Sequence, residues 1–146
     1  MKLILGCDHA AFEEKEVLKS FLQTLGHDIV DVGTYSNERC DYPDFAEKAV
    51  KEILAQSCLG ILLCGSGIGI SMAANRFSDI RAALCRSVKE AELSRQHNDA
   101  NVLCLGARIN SSEELAEITS AWLKATFEGG RHSDRVAKFN NWGTKI

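Results

Sequence analysis

Hydrophobic and polar positions along the chain fall into short apolar runs separated by amphipathic segments. The apolar runs predict strands at 2–7, 29–32, 61–64, 80–85 and 102–105. Apolar residues at helical spacing, often preceded by capping residues, predict helices at 10–25, 43–54, 87–93, 111–123 and 133–141. A further helix is predicted to begin after residue 71, where the composition favours helix formation.

This alternation of strands and helices predicts the fold class. Strands that alternate with helices form a parallel sheet with helices on both faces. We therefore expect an α/β fold, a three-layer α/β/α Rossmann-like arrangement with about five parallel strands. Residues 1–146 are expected to form one domain, since no repeat, linker or low-complexity tract divides them.

The stretch from 60 to 71, G-I-L-L-C-G-S-G-I-G-I-S, is the centre of the predicted chemistry. Its apolar run ends at Cys64 and is followed by Gly65, Gly67 and Gly69. A buried strand, a glycine turn and a helix start create an anion site beside that thiol. The spacing matches neither the dinucleotide fingerprint nor the Walker pattern, so a simple tight turn explains the glycines equally well.

Composition narrows the possible classes of protein. The chain is 45% hydrophobic and 25% charged with a net charge of −3, which argues against general affinity for nucleic acid or anionic membranes. The start of the chain lacks the pattern of a secretory leader and no long apolar run follows, so we expect a cytoplasmic protein. The six cysteines show neither a C-x-x-C pair nor zinc-finger spacing, which predicts reduced core thiols and no metal site.

Three other groups of polar residues could carry chemistry. Asp8 and His9 follow the first strand, where a helix cap and a surface imidazole are the alternative explanation. His97 lies in a polar segment at a predicted helix end, and it could reach the same sheet edge if its helix runs alongside. Arg131 and Arg135 are four apart, which suits a phosphate clamp or a solvated basic turn.

Taken together, these groups favour proton transfer over hydride transfer. The first strand ends in Gly6-Cys7-Asp8-His9, where a nicotinamide enzyme needs a glycine-rich turn. A thiol base, an imidazole, a carboxylate and an arginine pair suit proton transfer on a small phosphorylated carbonyl compound.

The motifs, in their order along the chain, resemble one family. They are Gly6-Cys7-Asp8-His9, Asp41-Tyr42-Pro43, the segment 64–71, the segment 94–101 (S-R-Q-H-N-D-A-N) and the segment 128–132 (E-G-G-R-H). This combination resembles ribose-5-phosphate isomerase type B, whose family includes galactose-6-phosphate isomerase subunits and allose-6-phosphate isomerase. The resemblance spans nearly the whole chain.

The resemblance implies a role for each catalytic group. Cys64 would be the base that moves a proton between C1 and C2 of the sugar, and Ser66 would assist it where many members have threonine. The amides of the glycine turn would stabilise the enediolate. His97 would open the furanose ring with help from Asp8.

The resemblance also implies how the substrate is held and how the chains assemble. Asn98 would hold a sugar oxygen, and Tyr42 would line the pocket. His9, Arg131 and Arg135 would bind the phosphate, with the arginines supplied by a partner chain. A homodimer or a dimer of dimers is expected, with the last helix, about 133–141, contacting the partner, and neither a cofactor nor a metal is required.

The predicted function is therefore interconversion of ribose 5-phosphate and ribulose 5-phosphate by metal-independent proton transfer. Two alternatives stay open at this point. One is a hexose-6-phosphate isomerase of the same family, acting on allose or galactose 6-phosphate. The other is a non-catalytic module that binds phosphosugars, which fold alone does not exclude.

Overall fold

Five parallel strands form the centre of the structure, a computed structural model that describes residues 1–146. The strands are β1 (Lys2–Cys7), β2 (Asp28–Asp31), β3 (Leu59–Cys64), β4 (Ala82–Leu84) and β5 (Val102–Gly106), in the order β2-β1-β3-β5-β4. The helices are α1 (Phe12–Thr24), α2 (Tyr42–Gln56), α3 (Ile68–Ala74), α4 (Val88–Asn98), α5 (Ser112–Lys124) and α6 (Ser133–Phe139). Short 3-10 turns at His9–Ala11 and Gly130–His132 precede α1 and α6. The predicted α/β class is confirmed.

Alternating residues of the strands build two hydrophobic cores, one on each face of the sheet. On one face Leu3, Leu5 and Leu63 belong to the core that α1, α4 and α5 cover. On the other face Ile4 and Leu62 belong to the core that α2 and α3 cover. Helices on both faces explain why the central strands read as continuous apolar runs rather than as alternating ones.

Most helices begin within two residues of the predicted position, but α3 begins at Ile68, before the predicted start after residue 71. Ser87 accepts a hydrogen bond from the Glu90 amide, and Ser111 forms a capping box with Glu114. Pro43 lies in the first turn of α2. The differences are confined to element ends: β4 is shorter than the predicted 80–85, and α6 ends at Phe139 rather than at residue 141.

The prediction that most of the six cysteines are core residues is confirmed. All are free, and Cys7, Cys64, Cys85 and Cys104 are buried. Burial raises the pKa of Cys7 to about 12 and that of Cys85 to about 11, so both thiols are inert at neutral pH. None of the helices combines the length and the apolar character that crossing a membrane requires.

A buried lysine fastens α1 to the end of β2. The Lys15 side chain is fully buried, and its Nζ donates to Asp31 Oδ1 and Oδ2 at 2.8 and 2.7 Å and to the Thr34 carbonyl at 2.8 Å. Lys19 Nζ and the Gly33 amide also donate to Asp31. Burial works to raise the pKa of Asp31, but these hydrogen bonds hold it below its usual range. The Asp31 carboxylate therefore has a structural role.

Replacing Lys15→Met tests this ion pair. Removing one partner of a buried pair leaves the other charge uncompensated, so we expect the free energy of unfolding to fall by about 3 kcal/mol in urea denaturation. The control is Lys51→Met on α2, whose exposed pair with Glu47 is expected to contribute less than about 1 kcal/mol. Because the folded state depresses the Asp31 pKa, this stability is present above the unfolded pKa of about 4 and is lost as the pH falls below it. If the difference in unfolding free energy between the wild type and Lys15→Met did not become smaller at acid pH, the result would contradict this assignment.

Candidate active site

A pocket of about 440 Å³ opens at the carboxyl ends of β1, β3 and β5. It is lined by residues from the loops that follow these strands and from the start of α2: Asp8, His9, Ala10, Tyr42, Cys64, Gly65, Ser66, Gly69, Arg108 and Ile109. Seven of these were predicted to belong to the site from the sequence. A larger groove of about 660 Å³ lies between α4 and α5, and it holds none of the predicted groups.

Cys64 is the last residue of β3 and lies at the base of this pocket. Its side chain is almost fully buried, and Sγ accepts a hydrogen bond from the Gly67 amide at 3.2 Å. Gly67 reaches this position with φ +75°, in the left-handed region. The Ser66 hydroxyl accepts from the Ile68 amide at 3.3 Å, so the turn presents a thiol and a hydroxyl to one space. An amide donor aimed at the sulfur is suited to a thiolate, whose charge strengthens the bond.

Two glycines of this turn are required by close neighbours. A Cβ on Gly67 would lie 2.5 Å from Leu84 Cδ1 and 2.8 Å from the Leu105 carbonyl carbon. A Cβ on Gly69 would lie 2.6 Å from Cζ of Tyr42. The Tyr42 ring therefore packs directly on the first turn of α3 and forms one wall of the pocket.

Asp8 and His9 each have both a structural contact and a place in the pocket. Asp8 Oδ1 accepts from the Ala10 amide at 3.0 Å and caps the 3-10 turn. Burial raises the pKa of Asp8, opposed by this hydrogen bond and by His9 and Arg108. His9 Nδ1 lies 3.2 Å from the Cys40 amide nitrogen and 3.1 Å from its carbonyl oxygen, which leaves Nε2 free for a ligand.

Arg108 is a pocket residue that the sequence analysis missed. It follows β5, and the Arg108 amide donates to the Gly65 carbonyl at 2.9 Å while the Ala107 amide donates to the Cys64 carbonyl at 3.0 Å. These bonds place the guanidinium beside Gly65 and within electrostatic range of Asp8. The available signal was its position two residues after the last strand, at the edge where the other groups were expected.

His97 and Asn98 lie at the amino ends of the parallel strands, whereas Cys64 lies at the carboxyl ends. They end α4, and the chain then turns so that the Ala100 amide donates to the Ser94 carbonyl and β5 begins at Val102. From Ala100 to Gly106, which pairs with Cys64, the chain advances about 20 Å at about 3.3 Å per residue. The expectation that His97 could reach the Cys64 edge is therefore wrong within one chain.

The other predicted phosphate ligands lie beside His97 rather than beside Cys64. The His97 and His132 rings stack with centroids 4.3 Å apart and planes 8° apart. Arg131 lies in the 3-10 turn before α6 and Arg135 lies in the first turn of α6. Burial, His97 and both arginines lower the pKa of His132, and Glu128 opposes them.

One chain thus presents two separate groups of candidate residues, hereafter the thiol half-site and the histidine half-site. The thiol half-site comprises Asp8, His9, Tyr42, Cys64, Gly65, Ser66, Gly67, Gly69 and Arg108. The histidine half-site comprises His97, Glu128, Arg131, His132 and Arg135, and Asn98 follows His97 at the end of α4. The thiol half-site contains a thiol, a hydroxyl and amide donors, and the histidine half-site contains two imidazoles and two guanidinium groups.

Comparison with known proteins gives consistent similarities over nearly the whole chain. A family model described as Ribose/Galactose Isomerase matches residues 3–139. Ribose-5-phosphate isomerase B of Escherichia coli (strain K12) is 46% identical over 136 residues, which are 92% of this chain and 91% of that protein.

Solved structures agree with the sequence similarity. Ribose-5-phosphate isomerase B of Clostridium thermocellum matches with a TM-score of 0.94 and 44% identity, covering 96% of this chain and 95% of that one. The enzyme of Mycoplasma genitalium, solved with bound ribulose-5-phosphate, matches with a TM-score of 0.90 and 41% identity, covering 94% of this chain and 92% of that one.

The glycine turn can be tested by Gly67→Ala, with Gly26→Ala as its control. Both positions have positive φ, but a Cβ on Gly26 meets nothing within 4 Å. We expect Gly26→Ala to cost about 1–2 kcal/mol of unfolding free energy from backbone strain alone. Gly67→Ala should cost about 1–3 kcal/mol more, because Leu84 and Leu105 must move. Equal losses in urea denaturation would show that the Gly67 turn is not crowded as described.

Proposed function

The chain belongs to the ribose/galactose isomerase family, and on this premise we propose that it interconverts D-ribose 5-phosphate and D-ribulose 5-phosphate. The predicted family and the predicted class of aldose–ketose isomerase are confirmed by the similarities. The observation that carries the proposal is the buried thiol of Cys64. Its Sγ accepts a hydrogen bond from the Gly67 amide, in a pocket that Asp8 and Ser66 also line.

Cys64 is the proposed base for the proton transfer. Its thiolate takes the proton from C2 of the open aldose, and the C2–H electrons form the C1–C2 double bond of an enediolate as the C1 carbonyl oxygen gains charge. The proton of the C2 hydroxyl passes to the charged C1 oxygen, the same sulfur returns the carbon-derived proton to C1, and the C2 carbonyl forms, which gives the ketose. We assign stabilisation of the negative oxygen to the amides of the glycine turn and to the guanidinium of Arg108, which lines the same pocket. Ser66 supplies a hydroxyl to the same space.

The remaining roles require groups from both half-sites. Opening the furanose ring needs an acid–base group, which we assign to His97 with Asn98 holding a sugar oxygen and Asp8 assisting. The phosphate is held by Nε2 of His9 together with Arg131 and Arg135. Since His97 and both arginines lie far from Cys64 in one chain, we propose that a second copy supplies them.

A homodimer, or a dimer of dimers, follows from this division. The two-fold symmetry of a homodimer brings the thiol half-site of each chain to the histidine half-site of the other, so both sites are completed together. The helix α6, which carries Arg135, has no buried residue in one chain and is therefore available for the partner contact expected of it. Because this chain carries both half-sites, no second kind of subunit is needed.

The pocket itself limits the two alternatives. A module that only binds phosphosugars would not need a buried thiol facing an amide donor, so that alternative is disfavoured by Cys64. A six-carbon substrate would use the same chemistry with a longer chain between C2 and the phosphate. Ribose 5-phosphate is favoured because the similar proteins include ribose-5-phosphate isomerase B, one of them with ribulose-5-phosphate bound.

The proposal predicts turnover of ribose 5-phosphate by the purified chain in the presence of EDTA. A coupled assay should show a higher kcat/KM for ribose 5-phosphate than for allose 6-phosphate. Preference for the six-carbon sugar would keep the mechanism and replace the substrate. Turnover of neither sugar would contradict the proposed function.

The Cys64→Ala variant should have a kcat about 10²–10⁴-fold lower than the wild type, which is the usual contribution of one acid–base group. Binding of the sugar phosphate, measured by calorimetry, should change little, because the phosphate ligands are intact. The control is Cys58→Ala, just before β3 begins, which lies outside the pocket and should leave kcat unchanged. Equal loss of turnover and binding in Cys64→Ala would remove the thiol from the role of base.

A further inference from the structure

The histidine half-site contains two groups to which the proposed mechanism gives no role, Glu128 and His132. Glu128 Oε2 lies 3.8 Å from His97 Nε2 and 3.9 Å from His132 Nε2, so one carboxylate faces both rings. The Glu128 amide donates to the Gln96 carbonyl at 3.0 Å, which ties this segment to the last turn of α4 directly beside His97. The contact is thus fixed at the backbone as well as at the side chains.

The hydrogen bonding at His132 determines which of the two rings can direct an N–H group at the Glu128 carboxylate. Arg131 Nε–H donates to His132 Nε2 at 3.4 Å, so that nitrogen is an acceptor and the neutral ring has its proton on Nδ1. Charged groups face the pair from three segments: Glu128 from the loop after α5, Arg131 from the 3-10 turn and Arg135 from α6. Two stacked imidazolium rings beside two guanidinium groups would repel one another strongly. His97 is left as the ring whose Nε2–H can face the carboxylate.

We propose that Glu128 and His132 are positioning residues for His97, with His132 as a neutral ring against which the His97 ring stacks and Glu128 as its carboxylate partner. This inference rests on the proposed function, since it takes His97 as the ring-opening group. The stack fixes the plane of the His97 ring, and the carboxylate holds a proton on Nε2, which leaves Nδ1 as the nitrogen for the sugar. Both effects act through His97, and neither residue needs to touch the substrate.

A metal site built from the same three residues is less consistent with the geometry. Their ligand atoms lie within 4.8 Å of one another, and two imidazoles with a carboxylate form a donor set that zinc accepts. A shared ion must lie near the plane of each ring, in line with the lone pair of its nitrogen. The ring planes are only 8° from parallel and stacked, and the lone pair of His132 Nε2 already accepts from Arg131. The arrangement therefore suits proton placement better than metal binding.

The carboxylate can be tested without any substrate by Glu128→Gln, which keeps the shape and removes the charge. The chain has four histidines, so the two stacked rings can be assigned and followed by NMR as the pH is changed. We expect the titration of the pair to move about 0.7 pH unit lower, the shift that Coulomb's law gives for opposite charges about 4 Å apart in water. Glu113→Gln, an exposed change in the first turn of α5, should not move it. An unchanged titration in Glu128→Gln would overturn the proposal.

The stacking role of His132 can be tested by comparing His132→Phe with His132→Ala. Phenylalanine keeps a flat ring against His97 and alanine removes it, so kcat should fall about tenfold or more in the alanine variant and less in the phenylalanine variant, with KM nearly unchanged in both. Equal losses in the two variants would show that stacking is not the role of His132. The thermal midpoints of both variants show whether a loss of kcat is caused by unfolding. If it is, the Glu128→Gln titration decides whether the proposal holds. If the chain turned over neither sugar, the proposed function would fail while the titration still tested the pairing.

Discussion

The parallel register of β1, β3 and β5 is the constraint on which the thiol half-site depends. Pairing of Cys7 with Leu63 and of Cys64 with Gly106 makes three strands end at nearly the same level, so their loops leave the sheet side by side. The backbone bonds from Ala107 and Arg108 to the Cys64 and Gly65 carbonyls then join two of those loops. A slip of one residue in this register would turn Cys64 from one face of the sheet to the other and remove the amide donor from its sulfur.

The same architecture separates the second set of groups from the first. A helix that follows a parallel strand returns towards the amino edge, so the end of α4 carries His97 and Asn98 away from Cys64. The segment between α5 and α6 runs to that edge as well, where Glu128 and His132 contact His97 and the arginines gather. A base at one edge and an acid–base group at the other make a single chain chemically incomplete under the proposed mechanism. The proposed two-fold pairing of identical chains would complete both sites with one kind of subunit.

Much of the fold could be predicted from the sequence because the local signals agree with one another. Buried strands gave apolar runs, and Ser87, Ser111 and Pro43 marked helix starts that the structure has. The residues after β1 and β3 could be placed in one pocket because the fold class specifies which edge binds ligands. The edge of His97 was predictable by the same logic, from the direction of its helix. The Lys15–Asp31 pair and the Glu128–His132 contact were not, since they depend on the spatial path of segments that lack any periodic pattern.

We propose that each active site combines Cys64 of one chain with His97 of another, and subunit complementation distinguishes this arrangement from a site within one chain. Chains with Cys64→Ala and chains with His97→Gln should each form assemblies with almost no turnover. When equal amounts are unfolded together and refolded, random pairing leaves both groups intact in about a quarter of the sites, whether the assembly is a dimer or a dimer of dimers. We expect the mixture to recover about a quarter of the wild-type specific activity. Activity no higher than the average of the two separate variants would contradict it, because a site contained within one chain cannot be restored by mixing.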